Sequence, residues 1–171
     1  MVVHNIAIEI EGRDKVGKDL IHYYLGQLGN YAYTINTRGI LSQLVYNDKF
    51  DRHKDYTLYY KPLIILLDVD DLDHKIRCKM NKEPIINSSK DRNTFNAYAH
   101  YLESFGIKVL YFNTTELTPF KIAEQIINYM ENKFDSKDYI CQEPICLKSL
   151  QLYSKEDLTG EDVYYGNIRD E

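Results

Sequence analysis

A chain of 171 residues fits one domain with a hydrophobic core of its own, without disulfide or metal staples. Its 44% apolar and 27% charged content is that of a soluble globular protein, and no apolar run is long enough to cross a bilayer, so no membrane partner is expected. A net charge of −5 with both signs interspersed leaves no broad basic face for duplex nucleic acid. The three cysteines, Cys78, Cys141 and Cys146, form no C-x-x-C pair and suit reduced thiols better than a disulfide framework or a zinc site. Met1 to Asn5 lacks the features of a secretory signal, and a cytoplasmic location is expected. Richness in Asn, Ile, Lys and Tyr, with no tryptophan, hints at an AT-rich genome such as that of a phage.

In chain order, Val3 to Ile10 is an almost unbroken apolar run, as expected of a central strand covered on both faces. After a glycine-containing loop, Leu20, Ile21, Tyr24, Leu25 and Leu28 keep helical spacing, and Gly29-Asn30 ends that helix. Tyr31 to Asn36 reads as a second strand. Ile40, Leu41, Leu44 and Val45 give a short helix that dissolves in the polar stretch Asn47 to Tyr56. Leu63 to Asp68 is a second buried strand, closed by acidic residues, and Leu72 to Met80 reads as helix. Beyond a polar loop from Asn81 to Ser89, helical spacing at Phe95, Tyr98, Leu102 and Phe105 stops at Gly106 and yields to a strand over Ile107 to Phe112. Thr118-Pro119 supplies a cap and first-turn proline for a helix with the stripe Ile122, Ile126, Ile127 and Met130. Residues 138–171 have weaker periodicity and clustered charge at Lys155-Glu156-Asp157 and Gly160-Glu161-Asp162, and are expected to form an extension or arm on a domain spanning 1–137. Strands alternating with helices predict an α/β three-layer sandwich around a mostly parallel sheet of about four strands, with ligands at the carboxyl ends of the strands.

The loop between the first strand and helix reads Gly12-x-x-x-x-Gly17-Lys18, a spacing that lets backbone N–H groups wrap a phosphate while a helix N-terminus and a lysine face the same anion. Its position makes this a P-loop, so the sandwich is expected to be P-loop NTPase-like. Gly12, Arg13, Asp14, Lys15, Val16, Gly17, Lys18 and Asp19 are the candidate residues for binding ATP. The five histidines show no ligand spacing and are assigned no role.

The stretch from Ile10 to Lys18 resembles the E-G-x-D-[RG]-x-G-K-[ST] loop of thymidylate kinases, and Thr37 to Tyr46 resembles their D-R-x-x-x-S-x-x-[AV]-Y segment. Leu63 to Asp70, followed by Arg77, is similar to the family's L-x-L-D-V strand and the helix leading to its lid. The resemblance implies Mg²⁺-dependent transfer from ATP to a deoxynucleoside monophosphate, with Lys15 and Lys18 stabilising the transferring phosphoryl group and Arg38 holding the acceptor phosphate. Asp14 matches the family aspartate that contacts the acceptor. Arg77 and Arg92, with Lys79 and Lys82, are the lid candidates.

Three departures from the family pattern stand out. Asp19 takes the place of the hydroxyl that ligates Mg²⁺, so Asp19 and Asp68 become the candidate metal ligands. Thr37 replaces the aspartate of the D-R pair, and the path from Lys18 to Arg38 is too short to hold the family's base-binding segment. Two alternatives therefore stand beside the nucleotide or nucleoside kinase: a non-catalytic nucleotide-binding protein, and a P-loop kinase of another small metabolite. A homodimer is left open.

Overall fold

The computed structural model describes residues 7–82, 88–135, 137 and 139–154. Residues 3–6 of the first expected strand, most of the 81–89 loop and the charge clusters from 155 onward lie outside the described residues. The elements are β1 (Ala7–Glu11), α1 (Lys18–Leu28), β2 (Thr34–Thr37), α2 (Ile40–Lys49), β3 (Tyr56–Tyr60), β4 (Leu63–Asp68), α3 (Asp71–Met80), α4 (Ser88–Glu103), β5 (Val109–Asn113), α5 (Pro119–Asn132) and β6 (Ile140–Leu147).

Four strands form a wholly parallel sheet in the order β2-β1-β4-β5. Leu63, Ile65 and Leu67 of β4 join Ile8 and Ile10 of β1 on one face, under α1 and α5. Ile64 and Leu66 point the other way, under α2 and α4. The fold is thus the three-layer α/β sandwich expected, with both faces of β4 buried as a continuous apolar run requires. Thr118 caps α5, its hydroxyl accepting from the Lys121 N–H at 3.3 Å, and the stripe from Ile122 to Met130 is buried against α1.

Two further strands have no clear periodicity in the sequence. β3 begins at Tyr56, where the expected polar stretch ends, and pairs antiparallel with β6 through Tyr56↔Leu147, Thr57↔Cys146 and Leu58↔Ile145. The register shifts between Leu58 and Tyr60, opposite the part of β6 that contains Pro144, and proline is tolerated in a strand mainly at edges and bulges. Ile145 and Leu147 enter the core beneath α2 and α4, so the extension that begins at 138 is fastened to the body at its start. Ser149 and the Leu152 N–H then bond to the buried Asp48 carboxylate, and Tyr153 bonds to Asp91.

Because all four strands of the main sheet run the same way, the segments after β1, β2, β4 and β5 gather at one edge, where Gly12–Gly17, Arg38, Val69 and Thr114 meet. Among the described residues no helix is long and apolar enough to cross a membrane.

Candidate phosphate site

Three residues with positive φ, Gly12 (139°), Lys15 (64°) and Gly17 (98°), turn the chain back on itself between β1 and α1. Val16, fully buried in the core beneath α1, pins the middle of the turn. Lys18 then folds back over the loop: its Nζ donates to the carbonyls of Gly12 (2.9 Å) and Arg13 (2.8 Å). Burial, and next the nearby Arg38 charge, lower the Lys18 ammonium to about 8. An incoming anion opposes this lowering by supplying countercharge. No side chain caps the N-terminus of α1, whose first-turn N–H groups have no intrahelical acceptor. A cavity of about 480 Å³ opens in front of this helix end, lined by Asp14, Lys15 and Gly17 of the loop, by Lys18, Asp19 and Leu20 of the first turn of α1, and by Thr37 and Arg38 at the end of β2.

Not every candidate side chain faces this cavity. The Arg13 guanidinium is 4% exposed and turns beneath the loop, donating to the Val69 carbonyl (2.6 Å) and to Asp71 (3.3 Å). Asp68 lies in the same underside layer. Its Oδ1 accepts from the Val69 N–H and lies 3.8 Å from Arg13, while its Oδ2 takes Arg92 at 2.6 Å. Asp68, expected as a metal ligand, is engaged by two guanidinium groups and is not among the residues that line the cavity. Arg92, expected as a lid residue, is paired with Asp68 here. Arg77 is a brace as well: it donates to the Lys15 carbonyl and to Thr114, each at 3.1 Å, and pairs with Asp73.

His74, assigned no role from sequence, completes this scaffold. Its Nε2 lies 2.8 Å from the Asp14 carbonyl, which can only accept, so that nitrogen carries the proton. Burial, and then the Arg13 charge, lower the His74 pKa and favour this neutral form. His74 and Arg77, one turn apart on α3, thus hold two successive loop carbonyls. Helical spacing puts them on one face, but only the crossing of α3 beneath the loop reveals what that face holds.

Across the cavity, Arg38 extends the β1–β2 pairing by donating its N–H to the Ile10 carbonyl at 2.8 Å. Its guanidinium bonds to the Tyr46 hydroxyl at 3.0 Å and to the Asp14 carboxylate, and its Cζ lies 5.3 Å from the Tyr46 ring centre. Arg38 therefore shares the cavity wall with Lys18 and Lys15.

Beneath Arg38 lies a pair of acidic groups with no counterpart among the expected site residues. β1 alternates Ile8-Glu9-Ile10-Glu11, so the face it turns toward α2 is acidic rather than apolar. Glu9 accepts from the Ile40 N–H at 3.0 Å; Glu11, fully buried, accepts from the N–H groups of Gly39 and Ser42 and from the Ser42 hydroxyl. The alternation is present in the sequence, within a run whose β-branched residues also fit a strand covered on both faces. Burial raises Glu11 to about 7 against the opposing Ser42 hydrogen bond, with the Glu9 charge adding to the rise.

A carboxyl that binds its proton more tightly folded than unfolded stabilises the fold fully below its unfolded pKa, and loses that contribution as pH rises through its folded value. Glu11→Gln is therefore expected to remove a decline in stability between about pH 5 and 8. His74, with its lowered pKa, acts in the opposite sense, so the comparison that isolates Glu11 is variant against wild type. Urea unfolding at four pH values measures it, and equal slopes for the two proteins would reject the assignment.

Comparison of the chain with protein-family models, curated proteins and solved structures finds no match.

Proposed function

We propose that the chain binds the phosphates of ATP with Mg²⁺ at the Gly12–Lys18 loop and transfers the γ-phosphoryl group to a nucleotide or nucleoside. The observation that carries this reading is convergence. An uncapped helix N-terminus, the Lys18 ammonium, Lys15 and Arg38 border one cavity at the carboxyl edge of a parallel sheet. Anions are stabilised at such helix ends, and positive groups aimed at one point favour a highly charged ligand.

In this reading the loop amides and Lys18 hold the phosphates, Lys15 faces the group in flight and Arg38 holds the acceptor. The γ-phosphorus bond to the bridging oxygen breaks as a bond to the acceptor oxygen forms, the nucleoside diphosphate leaves, and the acceptor proton passes to solvent or to the transferred phosphate. Mg²⁺ neutralises phosphate charge when bound and needs only one or two carboxylates beside phosphate oxygens and water; Asp19, exposed on the cavity wall, suits that demand. The placement of Asp68 between Arg13 and Arg92 favours a second reading, in which the protein binds nucleotide without turnover.

Calorimetry with MgATP tests the shared part of both readings: wild type binds, and Lys18→Ala weakens binding at least tenfold, or about 1.4 kcal/mol. No binding by wild type, or undiminished binding by the variant, would remove the phosphate-site assignment. ADP formation with deoxynucleoside monophosphates, nucleosides and small phosphorylated metabolites then separates a kinase from a silent binder.

A further inference from the structure

We infer that Glu11 is a positioning residue for Arg38: by gripping the first turn of α2, it fixes the direction in which the Arg38 guanidinium enters the cavity. The inference deepens the proposed function, on which it rests for what Arg38 binds but not for how Arg38 is held.

Arg38 sits at φ 84°, in the left-handed region that non-glycine residues rarely adopt. Such a conformation costs about 1–3 kcal/mol and persists only where the surroundings over-determine it. Here β1 supplies the restraint on both sides. The Arg38 N–H is tied to the Ile10 carbonyl, and the next N–H, that of Gly39, is tied to the Glu11 carboxylate. Glu9 and Glu11 also take the N–H groups of Ile40 and Ser42. A Cβ on Gly39 would collide with the Glu9 carboxylate, so the acidic pair lies directly against this backbone. With the α2 turn held, Tyr46 stands where it can take the Arg38 guanidinium.

The same contacts distinguish Glu11 from a proton acceptor for substrate. Both its oxygens are taken by donors from α2, and it is 0% exposed. The charges that act on it are Glu9 on its own strand and Lys18 on α1, while α2 meets it with amides and the Ser42 hydroxyl. Glu11 also directly precedes Gly12, so one residue links the phosphate loop to the arginine opposite.

The test uses full-length protein and two variants. Glu11→Gln replaces an acceptor oxygen by an N–H₂ that meets donors, and the milder Ser42→Ala removes one donor while leaving β1 intact. The first readout needs no ligand: the ¹⁵N relaxation of the Arg38 Nε–H, assigned through Arg38→Ala, reports whether the guanidinium is held. Ordered Nε–H in wild type and solvent-like mobility in both variants is the expected result. An Arg38 side chain that stays equally ordered in both variants overturns the inference. The second readout is affinity for inorganic pyrophosphate. Glu11→Gln and Arg38→Ala should each weaken it about tenfold, and the double variant no more than Arg38→Ala alone. Additive losses would mean that Glu11 acts through the fold at large and would overturn the inference. Absence of pyrophosphate binding by wild type strikes the nucleotide reading instead, and the relaxation measurement still decides the positioning role.

Discussion

Gly12→Ala is expected to cost about 3–5 kcal/mol of stability, the sum of left-side backbone strain and forced repacking. Gly12 ends the β1 segment with φ 139°, and a Cβ placed on it would lie 2.5 Å from the Leu67 carbonyl oxygen and 3.0 Å from a methyl of Val16. The first neighbour is backbone of β4, the strand buried on both faces, and the second is the residue that pins the loop; neither can give way cheaply. For a domain of this size the loss corresponds to a fall in Tm of roughly 10 °C. Gly17 provides the internal control. Its φ is 98°, but a Cβ there meets nothing within 4 Å, so Gly17→Ala carries only the backbone strain and should destabilise much less. Thermal and urea unfolding of the two variants decide the matter. If Gly12→Ala is as stable as Gly17→Ala, the close approach of the loop to β4 is not what demands glycine. The two loop glycines thus have different physical reasons for being there, one facing the sheet and one facing the cavity.

That distinction shows what a linear reading can and cannot reach. The motif spacing locates a loop between a strand and a helix, and β4 and α5 are legible because five apolar residues in a row and a Thr-Pro cap each admit few alternatives. β3 and β6 are not legible in this way. Their apolar positions are interrupted by polar residues and a proline, and each is stabilised by a partner about eighty to ninety residues distant, which no local window contains. The site divides similarly. Lys15, Lys18, Asp19 and Arg38 border the cavity because they lie at the ends of β1 and β2, where topology puts them. Loop spacing and family resemblance point Arg13, Asp68, Arg77 and Arg92 toward phosphate, metal or lid, whereas in the fold α3 and α4 hold them in ion pairs and loop-bracing bonds under the turn. A charged residue near a phosphate loop has two uses, holding the ligand or holding the loop, and only the direction of its side chain separates them.

Lys15→Met is expected to lower the rate of phosphoryl transfer by about 10²-fold or more while changing MgATP affinity far less. Lys15 occupies the tip of the loop at φ 64°, with its carbonyl gripped by Arg77 and its neighbour's by His74, so its backbone is set by α3 whatever side chain it bears. Methionine keeps an unbranched side chain of similar length and removes the charge, which confines the change to electrostatics. Lys18 already lies against the loop carbonyls, and in the proposed reaction it would act on bound phosphates in ground and transition states alike, an effect that tightens the complex without favouring turnover. Lys15 lines the same cavity as Lys18 and Arg38, where the proposed transfer would redistribute charge as the phosphoryl group moves from donor to acceptor. An interaction that strengthens along that path lowers the barrier. Lys15→Arg should recover part of the rate, since it restores the charge although its planar fork cannot take the place of a compact ammonium. Steady-state kinetics with the best acceptor, alongside calorimetry of MgATP, separate the two parameters. Equal losses of affinity and turnover would make Lys15 a ground-state ligand like Lys18, and unchanged values would make it a solvated loop residue. A wild type that binds MgATP but phosphorylates nothing would leave the site as a nucleotide sensor, in which the Asp14–Arg38 pair rather than Lys15 is the contact a ligand has to displace.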